Sequence, residues 1–111
     1  MKNRRLFDSA TLVILTMGMI VTTGVHAGGD IKAGQVKSIP CMGCHAIPGY
    51  SNAYPTYHVP RVGGQHSDYI VAALKAYKAK ERSHPTMQAQ AASLSEDDMQ
   101  DIAAFFSSKP E

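Results

Sequence analysis

The two cysteines of this chain stand three positions apart with a histidine directly behind the second, in the run Cys41-Met42-Gly43-Cys44-His45. On a helical turn, positions i, i+3 and i+4 lie on one face, so this spacing presents two thiols and an imidazole together. The arrangement constrains the fold because a chain this short needs more than its own core. A domain of this size buries only about 60% of the surface its unfolded chain exposes and must offset roughly 1.5 kcal/mol of conformational entropy per ordered residue. Small exported domains meet that deficit with disulfides, a metal or a covalent cofactor. A bond between Cys41 and Cys44 would close a very small loop and add little stability.

The rest of the composition is ordinary. At 111 residues there is room for one core, not two. A hydrophobic content of 44% with 18% charged residues and a net charge of +2 excludes a disordered tail and a strongly basic nucleic-acid binder. At the N-terminus, Lys2, Arg4 and Arg5 precede an apolar run over residues 10–21, and Val25-His26-Ala27 places small residues where a signal peptidase reads. This pattern predicts a cleaved secretory signal over residues 1–27 and a mature domain over 28–111, in the periplasm and without stable membrane insertion. The alternative is an uncleaved anchor, for which the apolar run is shorter than the roughly 20 residues a spanning helix needs. Residues 28–111 carry 8 basic and 8 acidic side chains, so the basic excess belongs to the targeting segment.

Cys-x-x-Cys-His is the pattern that attaches a c-type haem. Two thiols on one helical face reach the vinyl groups along one porphyrin edge while the adjacent imidazole reaches the iron. Three other uses of these residues compete: a redox-active dithiol, a zinc knuckle and a soft-metal carrier site. The dithiol calls for a βαβ context that the chain lacks. Zinc calls for a second ligand pair at a recognisable spacing, which His58, His66 and His84 do not supply.

With His45 as one iron ligand, the opposite position is either open or filled by Met42, Met87, Met99, His58, His66 or His84. Met42 lies between the cysteines and is tethered to the attachment edge. Met99 falls on the apolar stripe Met99, Ile102, Ala103, Phe106 of a C-terminal helix and reads as core. Met87 follows Ser83-His84-Pro85-Thr86, a loop opened by a helix-ending proline, and a loop methionine is free to close over a haem face; a surface gap-filling methionine is the competing reading. His84, three residues earlier, is the histidine able to replace Met87.

Otherwise the chain reads as helices and loops, with no period-two run long enough for a sheet. Asp30 caps a helix over 31–38 that Pro40 stops. Ser67 caps a second through about 79, burying Tyr69, Ile70, Ala73, Leu74 and Tyr77. Ser95 caps a third to about 108, with Glu96, Asp97 and Asp98 at its positive end and Leu94 stapled to Met99. Residues 46–66 form a Pro/Gly/Tyr-rich loop suited to wrapping a cofactor edge. Lys75, Lys78 and Arg82 share a helix face, read as a solvated surface in preference to a steering patch for an acidic partner.

Taken in order, Cys41-Met-Gly-Cys-His45, Pro60-Arg-Val-Gly-Gly-Gln65, a Tyr-rich helix, Arg82 before Met87, and Leu94-Ser-Glu-Asp-Asp98 opening the last helix, the sequence resembles a class I cytochrome c. It is most similar to small bacterial periplasmic monohaem cytochromes and to single halves of their dihaem relatives. The resemblance implies an all-α fold, with helices and loops packed around one haem c bound through Cys41 and Cys44. It further implies His45 and Met87 as axial ligands, Pro60 as the carbonyl that orients His45, and Arg61 and Arg82 as candidate propionate contacts. Two differences stand out: Ala46 and Lys80 occupy positions where the family usually has glycine, and the stretch from His45 to Pro60 is longer than usual.

Iron held by both a histidine and a methionine has no vacant position, and the thioether favours the reduced state. The expected function is therefore one-electron transfer without catalysis by a monomer or weak oligomer. Its expected partners are redox proteins such as a membrane cytochrome complex, a terminal oxidase or a periplasmic dehydrogenase. The alternatives are a haem subunit of a redox enzyme complex, or a peroxide- or gas-reactive haem protein in which Met87 does not bind stably.

Overall fold

The computed structural model describes residues 28–53 and 56–109; the expected signal segment lies outside the described residues. Among the described residues five helices follow in order, α1 (Ile31–Lys37), α2 (Ile39–His45), α3 (Ser67–Lys78), α4 (Pro85–Ala92) and α5 (Glu96–Ser107), with a small hairpin of β1 (Ser51–Ala53) and β2 (Thr56–His58) between α2 and α3. The fold is mainly helical, as the motifs imply. The hairpin corrects the expectation of no sheet: its strands pair antiparallel, Ser51 with His58, Asn52 with Tyr57 and Ala53 with Thr56. Three-residue strands are too short to leave an alternating signature. The hairpin occupies much of the stretch between His45 and Pro60.

Asp30 caps α1 as its residue type suggests, its carboxylate accepting from the amides of Lys32 at 2.7 Å and Ala33 at 3.0 Å. Pro40, expected only to stop that helix, instead starts the next one. It sits in the first turn of α2, where a proline's missing N–H is no loss. Similarly, α3 begins one residue early, with His66 rather than Ser67 at the cap and no side-chain capping bond. The least expected helix is α4. His84 caps it in extended geometry and Pro85 opens it, so Met87 lies in a first helical turn and not in a loop.

The core is formed by Ile70, Val71 and Leu74 of α3, Ala91 of α4, and Met99, Ile102, Ala103, Phe105 and Phe106 of α5. Met99 is core as its stripe predicts, and Leu94 packs against the same cluster. Tyr69, expected on the buried stripe, is 52% exposed. Burial along α3 instead follows 70, 71 and 74, which leaves position 69 one helical step off the core. On α1, Ile31 and Val36 are exposed, so this helix docks by a different means. A Cβ on Gly34 would lie 1.9 Å from the Asp101 carbonyl oxygen and 2.9 Å from Cβ of Phe105. The backbones of α1 and α5 therefore meet at a point only glycine allows.

Charge locks the same crossing. The Lys37 ammonium contacts Asp101 at 2.6 Å and Asp98 at 2.8 Å. Asp101 also accepts from the Asp30 amide at 2.7 Å. The carboxylate pair raises the Lys37 pKa above its ordinary value, while Lys37 and the Ser95 backbone lower that of Asp98. The expected helix face of Lys75, Lys78 and Arg82 is cut short, because α3 ends at Lys78 and Lys80 turns left-handed. Lys75 pairs with Glu96 at 2.8 Å, Lys78 donates to the Leu94 carbonyl, and Arg82, beyond the helix, lies 4.8 Å over the Tyr77 ring. Each of these cations is thus engaged within the fold.

Candidate haem-attachment site

The three residues of the attachment motif lie on α2, a helix with no fully buried residue of its own. Cys41, Cys44 and His45 are each partly buried. Both thiols are free, and burial, assisted by the neighbouring Cys44, pushes the Cys41 thiol above its ordinary pKa. A redox-active dithiol needs the opposite shift. Zinc finds no support either, since among the described residues no three His, Cys, Asp or Glu side chains group as metal ligands.

His45 is held from behind. Its Nδ1 lies 2.6 Å from the carbonyl oxygen of Pro60. A carbonyl only accepts, so Nδ1 is the donor, and in the neutral imidazole Nε2 is then the nitrogen with a lone pair for a metal. A bond of this kind orients a ligating imidazole and raises its basicity. The rigid φ of Pro60 and the hairpin immediately before it deliver that carbonyl to the ring.

Met87 is partly buried and packs against the core cluster. Its amide is received by Nδ1 of His84 at 3.3 Å, the side-chain cap of α4. His84 is not idle surface, as its ring meets Tyr57 edge-on at 4.6 Å between centroids and Tyr77 at 6.3 Å. Tyr57 also places its hydroxyl 3.2 Å from that of Thr86. Sequence reasoning missed these supports. The one available signal was the residue preceding a helix-opening proline, which is where an N-cap belongs.

The two arginines are not brought together. Arg61 is exposed beside Pro60. Arg82 sits across the Tyr69 and Tyr77 pair, its Nη1 3.4 Å from the Tyr69 hydroxyl. The motif thus offers two half-buried thiols and an imidazole held by Pro60, donor types that suit a c-type haem, while Met87 sits on a capped helical turn.

Comparison with known proteins points the same way. Residues 37–109 match the cytochrome c family profile. The chain is 36% identical over 98 residues to cytochrome c4 of Pseudomonas aeruginosa and 35% identical over 106 residues to that of Stutzerimonas stutzeri, in each case over 87% of this chain. Those alignments cover 46% and 48% of the relatives, so the chain spans about half their length. To cytochrome c-554(548) of Halomonas halodenitrificans it is 37% identical over 84 residues, covering 73% of this chain and 98% of that protein. The chain belongs to the cytochrome c family, and the Cys41 and Cys44 spacing is that of its single covalently bound haem c.

Proposed function

We propose that the protein is a one-electron carrier of the periplasm, made with a cleaved signal over residues 1–27. In this reading Cys41 and Cys44 hold the haem by thioether bonds, and His45 Nε2 and Met87 Sδ are the axial ligands. The observation that carries it is the 2.6 Å bond from His45 Nδ1 to the Pro60 carbonyl, which in the neutral imidazole commits Nδ1 as the donor, leaves Nε2 as the metal-binding nitrogen and restrains the ring by a rigid anchor.

The bound group supplies an iron that gains or loses one electron at a potential raised by thioether ligation. The residues keep that site closed. Pro60 restrains the imidazole from turning, the cap at His84 secures the turn that bears Met87, and a thioether bound from that turn would keep water and small ligands from the iron. Because Lys75, Lys78 and Arg82 are engaged internally, we propose weak docking through the exposed margin around Cys41 and Cys44. Such contacts are small and transient, and suit a membrane cytochrome complex, a terminal oxidase or a dehydrogenase.

The test is an optical and redox titration of protein matured with haem in the periplasm. The expected result is a low-spin spectrum with a sulfur-to-iron charge-transfer band when oxidised, lost in Met87→Ala. A high-spin wild type that binds peroxide or small gases rapidly would overturn the carrier reading.

A further inference from the structure

Residues 56–60 touch the supports of both proposed axial ligands. At one end Pro60 offers its carbonyl to His45. Three residues earlier, the half-buried Tyr57 meets the helix that carries Met87 in two places. Its hydroxyl is 3.2 Å from Thr86 Oγ1, and its ring packs edge-on against His84 at 4.6 Å with an interplanar angle of 82°. His84 and Thr86 flank Pro85, whose φ is fixed by its ring. Holding both neighbours therefore holds the whole first turn of α4, including Met87.

The hairpin keeps Tyr57 in place. Tyr57 pairs with Asn52 across the strands, the Val59 amide donates to the Tyr50 carbonyl at 2.9 Å, and Ser51 Oγ lies 2.8 Å from His58 Nδ1. Tyr77 of α3 closes the far side of His84. Packing therefore confines this turn from the hairpin and from α3, and its only polar link across to the hairpin among these contacts is the Tyr57–Thr86 pair.

We propose that the hairpin is a caliper for the two ligands and that Tyr57 is the positioning residue for Met87. The inference rests on the axial assignment made above. A soft thioether is the weaker of the two ligands once the iron is oxidised, so a brace on its helical turn slows its departure. The hydroxyl of Tyr57 and its ring make separable contributions, the first through Thr86 and the second through His84.

The test uses oxidised holoprotein and reads the sulfur-to-iron band, the reduction potential and the rate at which added imidazole displaces the sixth ligand. Tyr57→Phe and Thr86→Val should each speed displacement about fivefold, the worth of one hydrogen bond near 1 kcal/mol. The double variant should be no faster than either single one, because both remove the same contact. Thr86→Ser should restore the wild-type rate, and Tyr57→Ala should be faster still with a weakened band and a lowered potential. Ile102→Val, a core change away from the brace, should lower the unfolding midpoint without moving the imidazole rate.

Wild-type rates in Tyr57→Phe and Thr86→Val, or additive effects in the double variant, would overturn the brace alone, provided Met87→Ala abolishes the band. A wild type without the band, matched by an unchanged rate in Met87→Ala, would overturn the ligand assignment and the brace together.

Discussion

Lys80 holds a left-handed backbone conformation, φ 62°, which among the described residues it shares only with Gly49 and Gly64. It closes α3: the Lys80 amide donates to the Tyr77 carbonyl at 3.1 Å and the Glu81 amide to the Ala76 carbonyl at 2.9 Å, the paired bonds of a Schellman ending. A side chain with a Cβ is strained there. Lys80→Gly should therefore stabilise the holoprotein by about 1 kcal/mol, read as a higher midpoint in denaturant with an unchanged slope. The resemblance to class I cytochromes marks this position in the sequence, because it implies glycine where Lys80 stands. Cys41, Cys44 and His45 were legible too, as their chemistry is written in their spacing. Tyr57 was not legible. Its partners Thr86 and His84 lie 29 and 27 positions away, and an aromatic edge contact between distant loops follows no period that a sequence displays.

At the scale of elements, α5 was the most readable, since its signals are local: Ser95 and Asp98 form a reciprocal capping box, with bonds of 3.1 and 2.9 Å. Helix α4 leaves little trace in the sequence because only Ala91 is buried on it, so there is no apolar stripe, and Pro85, which reads as a terminator of the preceding helix, is an initiator of the next. The docking of α1 leaves little trace for a related reason, as it depends on the absence of a side chain at Gly34. Gly34→Ala should cost about 3 kcal/mol or more, because a methyl there meets the backbone of α5, which cannot turn aside; chemical denaturation of the holoprotein measures it. The Lys37 clamp predicts a pH dependence. Asp98 has its folded pKa lowered, so its contribution is present above the ordinary carboxylate value of ~3.9 and is lost as pH falls through the folded value. Lys37 is raised, so its contribution is present below ~10.4 and fades as pH rises beyond that. Melting temperature measured from pH 5 down to about 2 should fall less steeply in Lys37→Met than in the wild type, from a lower plateau.

For the whole molecule, the distribution of burial explains what the cofactor is for. Among the described residues, every buried apolar side chain belongs to α3, α4 or α5, while α2 buries none and α1 only Gly34. The half of the fold that bears the attachment motif thus has little core of its own, and two thioether bonds join it to a large apolar plate that the other half can cover. Replacing both cysteines, Cys41→Ala with Cys44→Ala, should yield colourless protein. Its far-ultraviolet circular dichroism should melt over a broad range in place of one cooperative step.

The contact of α1 with α5 joins segments 64 to 71 residues apart, at the Asp30 cap, the Gly34 crossing and the Lys37 clamp. Mechanically the domain is a ring with a latch. Cutting the backbone at the hairpin would leave two pieces still fastened through their outer helices, whereas opening the latch would free α1 and, with it, the approach to the turn that holds the haem.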